Sequence, residues 1–337
     1  MSKKAYAAAG VDVDLGNQVK SGIQKLVRDT HGPEVLGKIG GFGGLFAPDF
    51  RGMKEPVLVS SVDGVGTKLK IAFAADKHDT IGQDLVNHCI NDIAVVGARP
   101  LFFLDYLASA TLEPKVFTQI LKGFAKACKA GGCALIGGET AQMPGMYQPG
   151  EYDVAGTIVG VVDRSKMLDG SSVRKGDVLI GLASNGLHTN GYSLARSVLF
   201  DKMKLTPKSK LDGVKGTLGD ELLRVHKNYQ PLMASLPARV LKAAAHITGG
   251  GLIDNLPRVL PADCDASIDT ASWKVPAIFE TIGRAGKVDR EEMFQVFNMG
   301  IGMVLIVSEK SAPAVLKQTK GRVIGRIVPG SGIVRIN

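Results

Sequence analysis

The sequence predicts an α/β (α+β) protein of two domains, residues 1–168 and 169–337. Three observations lead there. The chain has 337 residues, long for a single hydrophobic core. Apolar strand-like runs alternate with helix-periodic stretches in both halves, the pattern of layered sheet-and-helix domains. Between the halves, residues 163–177 accumulate Asp, Lys, Ser and Gly, the composition of a seam.

Taken in order, Leu15, Val19, Ile23, Leu26 and Val27 recur at helical spacing, so residues 15–30 read as an amphipathic helix. Gly37 to Gly44 is too glycine-rich for helix or strand. Val57–Val62 reads as a strand running into a Gly-rich turn, and residues 80–97 as a helix broken by Gly97 and Pro100. Leu101–Leu107 is a strand, and residues 113–130 are a helix with Pro114 in its first turn, where proline is tolerated. Cys133–Ile136 is a short buried strand, and Tyr152–Val162 a long one. Beyond the seam, strands are expected at Val178–Ala183, Ala266–Ile268, Met303–Val307 and Arg322–Val328. Helices are expected at Tyr192–Phe200, largely through 217–236, and around 276–285, 290–297 and 311–319.

Composition excludes several classes. No apolar run approaches the length of a membrane span. The start, Met1-Ser-Lys-Lys-Ala, has no apolar stretch behind its lysines, so no signal or transit peptide is expected. Cys89, Cys128, Cys133 and Cys264 form no CxxC pair or zinc spacing and read as reduced thiols of a cytoplasmic enzyme. The net charge is +9, but residues 1–170 balance 18 basic against 18 acidic side chains, so the excess lies wholly in 171–337. Part of it is the Lys-rich stretch at 201–216, which contains Pro207 and two glycines and reads as a solvated loop. No binding module or aromatic platform accompanies the charge, so nucleic acid is not an expected partner.

Five segments carry candidate chemistry. In Ser60-Ser-Val-Asp-Gly-Val-Gly-Thr-Lys68 a strand delivers an Asp into a glycine turn. Backbone N–H groups there can face phosphate oxygens, Asp63 can hold Mg²⁺, and Lys68 can neutralise phosphate; equally, this is an ordinary strand–turn–helix junction. Neither Walker A nor GxGxxG spacing is present. Asn91-Asp92 sits in an apolar helical stretch, and a buried carboxylate is costly unless paired or on a metal. Asp92 is thus a second candidate Mg²⁺ ligand, or it faces solvent; Asp84 and Asp105 share the ambiguity. Glu139, at the end of a strand in Gly137-Gly-Glu-Thr140, is a third carboxylate for the metal, a substrate contact, or part of a plain turn. His188 lies in the polar loop Ser184-Asn-Gly-Leu-His-Thr-Asn-Gly-Tyr-Ser193, where an imidazole can act as acid or base, although most isolated histidines do not. Gly249-Gly-Gly251 leads into an apparent helix whose amides favour an anion, or it is a sharp turn needing positive φ.

Together, in order, these segments resemble one family. Gly40-Gly-Phe-Gly-Gly-Leu45, Val62-Asp-Gly-Val-Gly-Thr-Lys-Leu69, Asn91-Asp92, Pro100-Leu-Phe-Phe-Leu-Asp-Tyr106 and Gly137-Gly-Glu-Thr-Ala-Gln-Met-Pro-Gly-Met-Tyr147 are similar to the aminoimidazole ribonucleotide synthetase (phosphoribosylformylglycinamidine cyclo-ligase) family. So are Tyr152-Asp-Val-Ala-Gly156, His188-Thr-Asn-Gly-Tyr-Ser193 and His246-Ile-Thr-Gly-Gly-Gly251. The resemblance implies ring closure of formylglycinamidine ribonucleotide to 5-aminoimidazole ribonucleotide with ATP and Mg²⁺. It implies Asp92 and His188 as catalytic residues. Nucleotide contacts are expected from Gly41, Gly43, Gly44, Asp63, Gly64, Gly66, Thr67, Lys68, Asp105, Gly138 and Glu139, with Asp63, Asp92 and Glu139 on the metal. Substrate contacts are expected from Asn190, Thr248, Gly249, Gly250 and Gly251. Some relatives have an Asp where this chain has His246, so no metal role is assigned to it. The resemblance also implies a homodimer in which N-terminal strands of both subunits close a β-barrel. The alternatives are another ATP-using member of the wider superfamily, such as a small-molecule kinase, and a basic nucleic-acid-binding protein.

Overall fold

Each half of the chain folds round its own sheet in the computed structural model, which describes residues 5–337. The basic start Met1–Lys4 and the side chain of Val19 lie outside the described residues. One unit runs through Ile93 and from Arg99 to Arg164; the other takes Ala94–Ala98 and Ser165–Asn337. The seam thus falls four residues before the expected boundary. Ala94–Ala98 joins the second unit because Ala94 belongs to its apolar core and Val96 accepts a hydrogen bond from Leu168 N–H.

The first unit begins with α1 (Ala5–Ala8) and α2 (Val13–Arg28), followed by β1 (Pro56–Gly64), α3 (Leu69–Ala75) and α4 (Ile81–Ala94). Then come β2 (Arg99–Ser109), α5 (Pro114–Gly131), β3 (Ala134–Gln142) and β4 (Tyr152–Asp163). Asp12 caps α2, its carboxylate accepting from Leu15 N–H at 2.9 Å. Pro114 opens α5, and Gly132, at φ 68°, closes it in the left-handed conformation. The strand order is β1-β4-β2-β3, with β4 antiparallel to β1 and β2, and β2 parallel to β3 through the α5 crossover. β3 is longer than expected, because β2 keeps pairing with it as far as Ser109 and Gln142.

One face of this sheet is buried. Phe103 reaches Phe124 of α5 with ring centroids 6.1 Å apart, and Cys89 of α4 lies 3.7 Å from Gly156 O. The helices cross at Gly82 and Gly123, where a Cβ on Gly82 would lie 2.2 Å from Ile120 O. The opposite face leaves Leu58 and Val62 of β1 62% and 67% exposed and Tyr106 of β2 38% exposed.

The second unit contains β5 (Val178–Ala183), α6 (Tyr192–Arg196), α7 (Leu218–Leu222), α8 (Gln230–Ala234), β6 (Leu241–His246) and α9 (Gly251–Asn255). It continues with β7 (Cys264–Ile268), α10 (Ala277–Gly286), α11 (Arg290–Val296), β8 (Ile301–Val307), α12 (Ala312–Thr319), β9 (Arg322–Pro329) and β10 (Val334–Ile336). The order is β10-β7-β9-β5-β8-β6, antiparallel except for β10 on β7. Every residue of β8 is buried. The helix expected through 217–236 is two short helices, and the stretch between them carries His226 and Tyr229 into the interior. β6 was not expected: Lys242-Ala-Ala-Ala-His246 has no β-branched signal, and its pairing with β8 makes it a strand. Among the described residues no helix is long and apolar enough to cross a membrane.

Candidate functional site

In the first unit, β1 and α4 bring Asp63 and Asp92 together. Asp63 stands near the end of β1, opposite Gly156. His88 and Asp92 are four residues apart on α4 and so share a face. His88 Nε2 lies 3.5 Å from Asp63 Oδ1 and 3.6 Å from Asp92 Oδ2, and Ser61 Oγ donates to Asp92 Oδ2 at 3.4 Å. Burial, and then the neighbouring Asp92, push the Asp63 carboxyl up to about 7. Two close carboxylates resist both being ionised unless a cation lies between them. Carboxylate oxygens are the hard donors that Mg²⁺ prefers. His88 escaped the sequence reading, although its position one turn before Asp92 was a usable signal.

Lys68 departs from expectation. It is fully buried, with its ammonium 2.8 Å from Asp84, also fully buried. Burial lowers its pKa, and the Asp84 charge opposes that shift. In this position it braces α4 through Asp84. Gly64 ends β1, and Gly66, at φ 67°, starts the tight turn Gly66–Lys68 into α3, with Thr67 at its centre.

A second feature of this unit is a cavity of about 450 Å³, within the range of small-molecule sites. Gly41, Gly43 and Gly44 line one side and Asp105, Gly138 and Glu139 another, with Ile23, Val27, Phe117 and Leu121 supplying apolar wall. Burial first, then the Glu139 charge, raises the Asp105 carboxyl to about 7. Gly138 leaves room for it, since a Cβ there would lie 2.3 Å from Asp105 Oδ1. Glu139 stands here with Asp105, and not with the Asp63–Asp92 pair as the metal reading expected. The pairing aligns Asp63, Gly156, Asp105 and Gly138 in one row across β1, β4, β2 and β3. Adjacent strands lie about 4.8 Å apart, so the carboxylate pair and the cavity are separated by roughly 10 Å along the sheet.

In the second unit the loop after β5 is tightly pinned. Asn298 Nδ2 donates to Gly186 O at 3.0 Å, Ser184 Oγ donates to Asn298 Oδ1 at 3.0 Å, and Asn185 Nδ2 donates to Val225 O at 2.8 Å. His188 sits in this loop at φ 61°, a left-handed backbone unusual for histidine. Its ring is buried, accepts from Asn185 N–H through Nε2 at 2.9 Å, and stacks on His226. The space it fills is vacated by Gly302 of β8, where a Cβ would lie 2.6 Å from His188 Cε1 and 2.2 Å from Tyr229 Oη. Gly302→Ala is therefore expected to cost about 1–3 kcal/mol through overpacking. It should also lower turnover more than the matching Gly283→Ala, whose Cβ would have only ordinary contacts, the nearest 3.5 Å away; melting temperatures and kcat for the two variants check this.

Asn190 and the glycine triplet meet. Asn190 Oδ1 lies 3.2 Å from where a Cβ on Gly249 would stand, and Asn190 Nδ2 is enclosed with no hydrogen bond among the described residues. Asn255 Nδ2 donates to Gly249 O at 3.1 Å and Gly251 O at 2.8 Å, while Thr248 Oγ1 donates to Asn255 Oδ1 at 3.4 Å. Gly250 and Gly251 have φ of 94° and 57°, and a Cβ on Gly251 would lie 1.9 Å from Phe294 O. The triplet is a turn that requires glycine. The helix behind it has only five residues and carries Asp254 in its first turn, which weakens the expected attraction for an anion.

Residues 50–162 match the AIR synthase related protein N-terminal domain, and residues 174–336 its C-terminal domain. The phosphoribosylformylglycinamidine cyclo-ligase of Geotalea daltonii is 55% identical over 317 residues, covering 94% of this chain and 91% of that protein. That of Bacillus cytotoxicus is 50% identical over 335 residues, covering 98% and 96%. Among solved structures, the hydrogenase maturation protein HypE in complex with ATP aligns with a TM-score of 0.68 at 17% identity, covering 98% of this chain and 93% of that one. Thiamine-monophosphate kinase from Stenotrophomonas maltophilia K279a aligns at 0.62 and 18%, covering 97% and 96%. These structures share the fold.

Proposed function

Because the chain belongs to the phosphoribosylformylglycinamidine cyclo-ligase family, we propose that it closes the imidazole ring of 5-aminoimidazole ribonucleotide from formylglycinamidine ribonucleotide, consuming ATP. The single observation that carries this reading is the row of the first sheet that joins the Asp63–Asp92 pair to the glycine-lined cavity. The cavity takes the nucleoside, and the phosphates extend along the row towards the carboxylates. Asp63 and Asp92 would hold Mg²⁺, which would supply positive charge to offset that of the transferred phosphoryl group. Transfer to the formyl oxygen makes that oxygen a phosphate leaving group. The substrate's amidine nitrogen then forms the C–N bond as the C–O bond breaks, phosphate leaves with the electron pair, and the nitrogen sheds one proton. Asp105 and Glu139 contact the nucleoside. In the second unit, Asn190 offers its enclosed amide to the substrate, Thr248 and Gly249–Gly251 shape the turn beside it, and His188 orients the formyl oxygen or moves a proton.

The test is a coupled ADP assay with direct detection of the aminoimidazole. Product is expected only with ATP and Mg²⁺; equal product without ATP overturns the reading. ADP with a phosphorylated, unclosed product would favour a small-molecule kinase.

We also place the protein in the cytoplasm, consistent with four cysteines that form no disulfide, and read it as a homodimer. Leu58, Val62 and Tyr106 leave one face of the first sheet uncovered, and such a face invites a second copy, closing a barrel from the N-terminal strands of both subunits. Light scattering is expected to give twice the chain mass, and Leu58→Glu with Val62→Glu to give monomer. An active wild-type monomer refutes the assembly.

A further inference from the structure

The second unit buries three imidazoles together. His188, His226 and His246 are 1%, 0% and 5% exposed, and one ring nitrogen of each lies within 4.8 Å of the others. The ring planes argue against a shared metal. His188 stacks on His226 with centroids 4.0 Å apart and planes at 22°. Imidazole lone pairs lie in the ring plane, so a cation at about 2.0–2.1 Å from both nitrogens would sit far out of both planes.

Hydrogen bonds give the triplet another meaning. Asn185 N–H donates to His188 Nε2 at 2.9 Å, so that nitrogen offers a lone pair and a neutral His188 carries its proton on Nδ1. His226 Nε2 and His246 Nε2 are 2.9 Å apart, so one of them donates to the other. On its other side, His226 Nδ1 lies 3.2 Å from Thr189 Oγ1, a hydroxyl that donates or accepts by rotating. Two proton arrangements satisfy these bonds. Either His246 donates to His226 and His226 to Thr189, or Thr189 donates to His226 and His226 to His246. A second proton on His226 is also accommodated, since both its nitrogens then donate and no heavy atom moves.

We propose that His226 is a positioning residue for His188, its ring stacked on His188 and held by hydrogen bonds to His246 and Thr189. The ring stack sets the plane of His188, and the bond to Thr189 holds the next residue of its loop. His188 is thereby held in the orientation in which Asn185 N–H meets its Nε2 and fixes its tautomer. The kinetic consequence rests on the cyclo-ligase reading; the tautomer does not.

His226→Phe keeps a ring for stacking and loses both hydrogen bonds, His226→Gln keeps an amide within reach of His246 and loses the stack, and Thr189→Val removes only the hydroxyl clamp. In wild type, imidazole ¹⁵N spectra should show His188 as a single Nδ1–H tautomer, with a downfield proton from the His226–His246 bond. Each His226 variant should lower kcat about 10–100-fold, the usual effect of losing an orienting partner, with KM within about twofold, and should turn His188 into a mixture of tautomers. A wild-type spectrum with His188 protonated on Nε2, unchanged kcat in folded His226 variants, or stoichiometric Zn²⁺ binding lost in His226→Phe would each overturn the proposal. If wild type shows no cyclo-ligase turnover, the spectra of wild type and Thr189→Val still decide the tautomer.

Discussion

Asp63→Asn and Asp92→Asn are each expected to lower kcat by about 10²–10³-fold, the range for removing one preorganised charge-stabilising group, while the fold is retained. Asp63 supplies the sharper test, because its activity and stability should move in opposite directions. Burial and the neighbouring Asp92 hold its carboxyl up at about 7. An unfolded Asp titrates near 3.9, so in the cation-free folded protein ionisation of Asp63 is disfavoured, and stability falls as pH rises from about 4 through 7. Above that range the strain persists until a cation removes it. Three results follow. The melting temperature of cation-free wild type should drop between pH 5 and 8. Mg²⁺ should restore it, with tighter binding at pH 8 than at pH 6 because the shared proton no longer competes. Asp63→Asn, neutral at every pH, should melt above wild type at pH 8 without Mg²⁺ while being nearly inactive. Full activity of either variant at limiting Mg²⁺, or a wild-type melting curve indifferent to Mg²⁺ at pH 8, rejects the pairing.

These two aspartates were legible in the sequence because each is a local contradiction: a carboxylate at the end of an apolar strand, and another inside an apolar helix. Charge that burial penalises implies a compensating partner, and two neighbouring carboxylates call for a shared proton or a cation. Lys68, read as a phosphate-neutralising group after the glycine turn, lies buried beside Asp84. Its segment marks a glycine turn, but whether a lysine leaving that turn faces solvent or interior depends on α4, and Asp84 supplied the buried partner. Glu139 shows the limit of one-dimensional reading as well. The end of a strand was a fair place to look for a ligand-binding group, yet only the register of β3 against β2 puts it beside Asp105. In the second unit β5, β8 and β9 were readable from their apolar runs. β6 was not, because its alanines become a strand only against the buried β8. His226 left no mark for a related reason. Periodicity alone predicts helix through 217–236, and tertiary demand for an imidazole and Tyr229 at the loop breaks it.

His188→Asn is expected to lower kcat by about 10²–10⁴-fold, the contribution of a positioned proton-transfer group, with KM for formylglycinamidine ribonucleotide changed by less than about twofold, under ~0.5 kcal/mol. Asn is the informative replacement because His188 has φ of 61°, and Asn accepts the left-handed region more readily than most residues. It keeps a short hydrogen-bonding amide, but it titrates at no accessible pH and cannot carry a proton from one atom to another. His188→Gln reaches further and tests the same point at greater backbone cost. The three possible roles separate in the constants. Proton transfer gives a large fall in kcat at nearly constant KM. Ground-state binding of the formyl oxygen gives a raised KM at nearly constant kcat. A purely structural histidine, packed against Gly302 and His226, gives a lower melting temperature with both constants within about twofold of wild type when measured well below the transition. That last pattern would remove His188 from the chemistry while leaving its buried packing as the reason for its strained backbone.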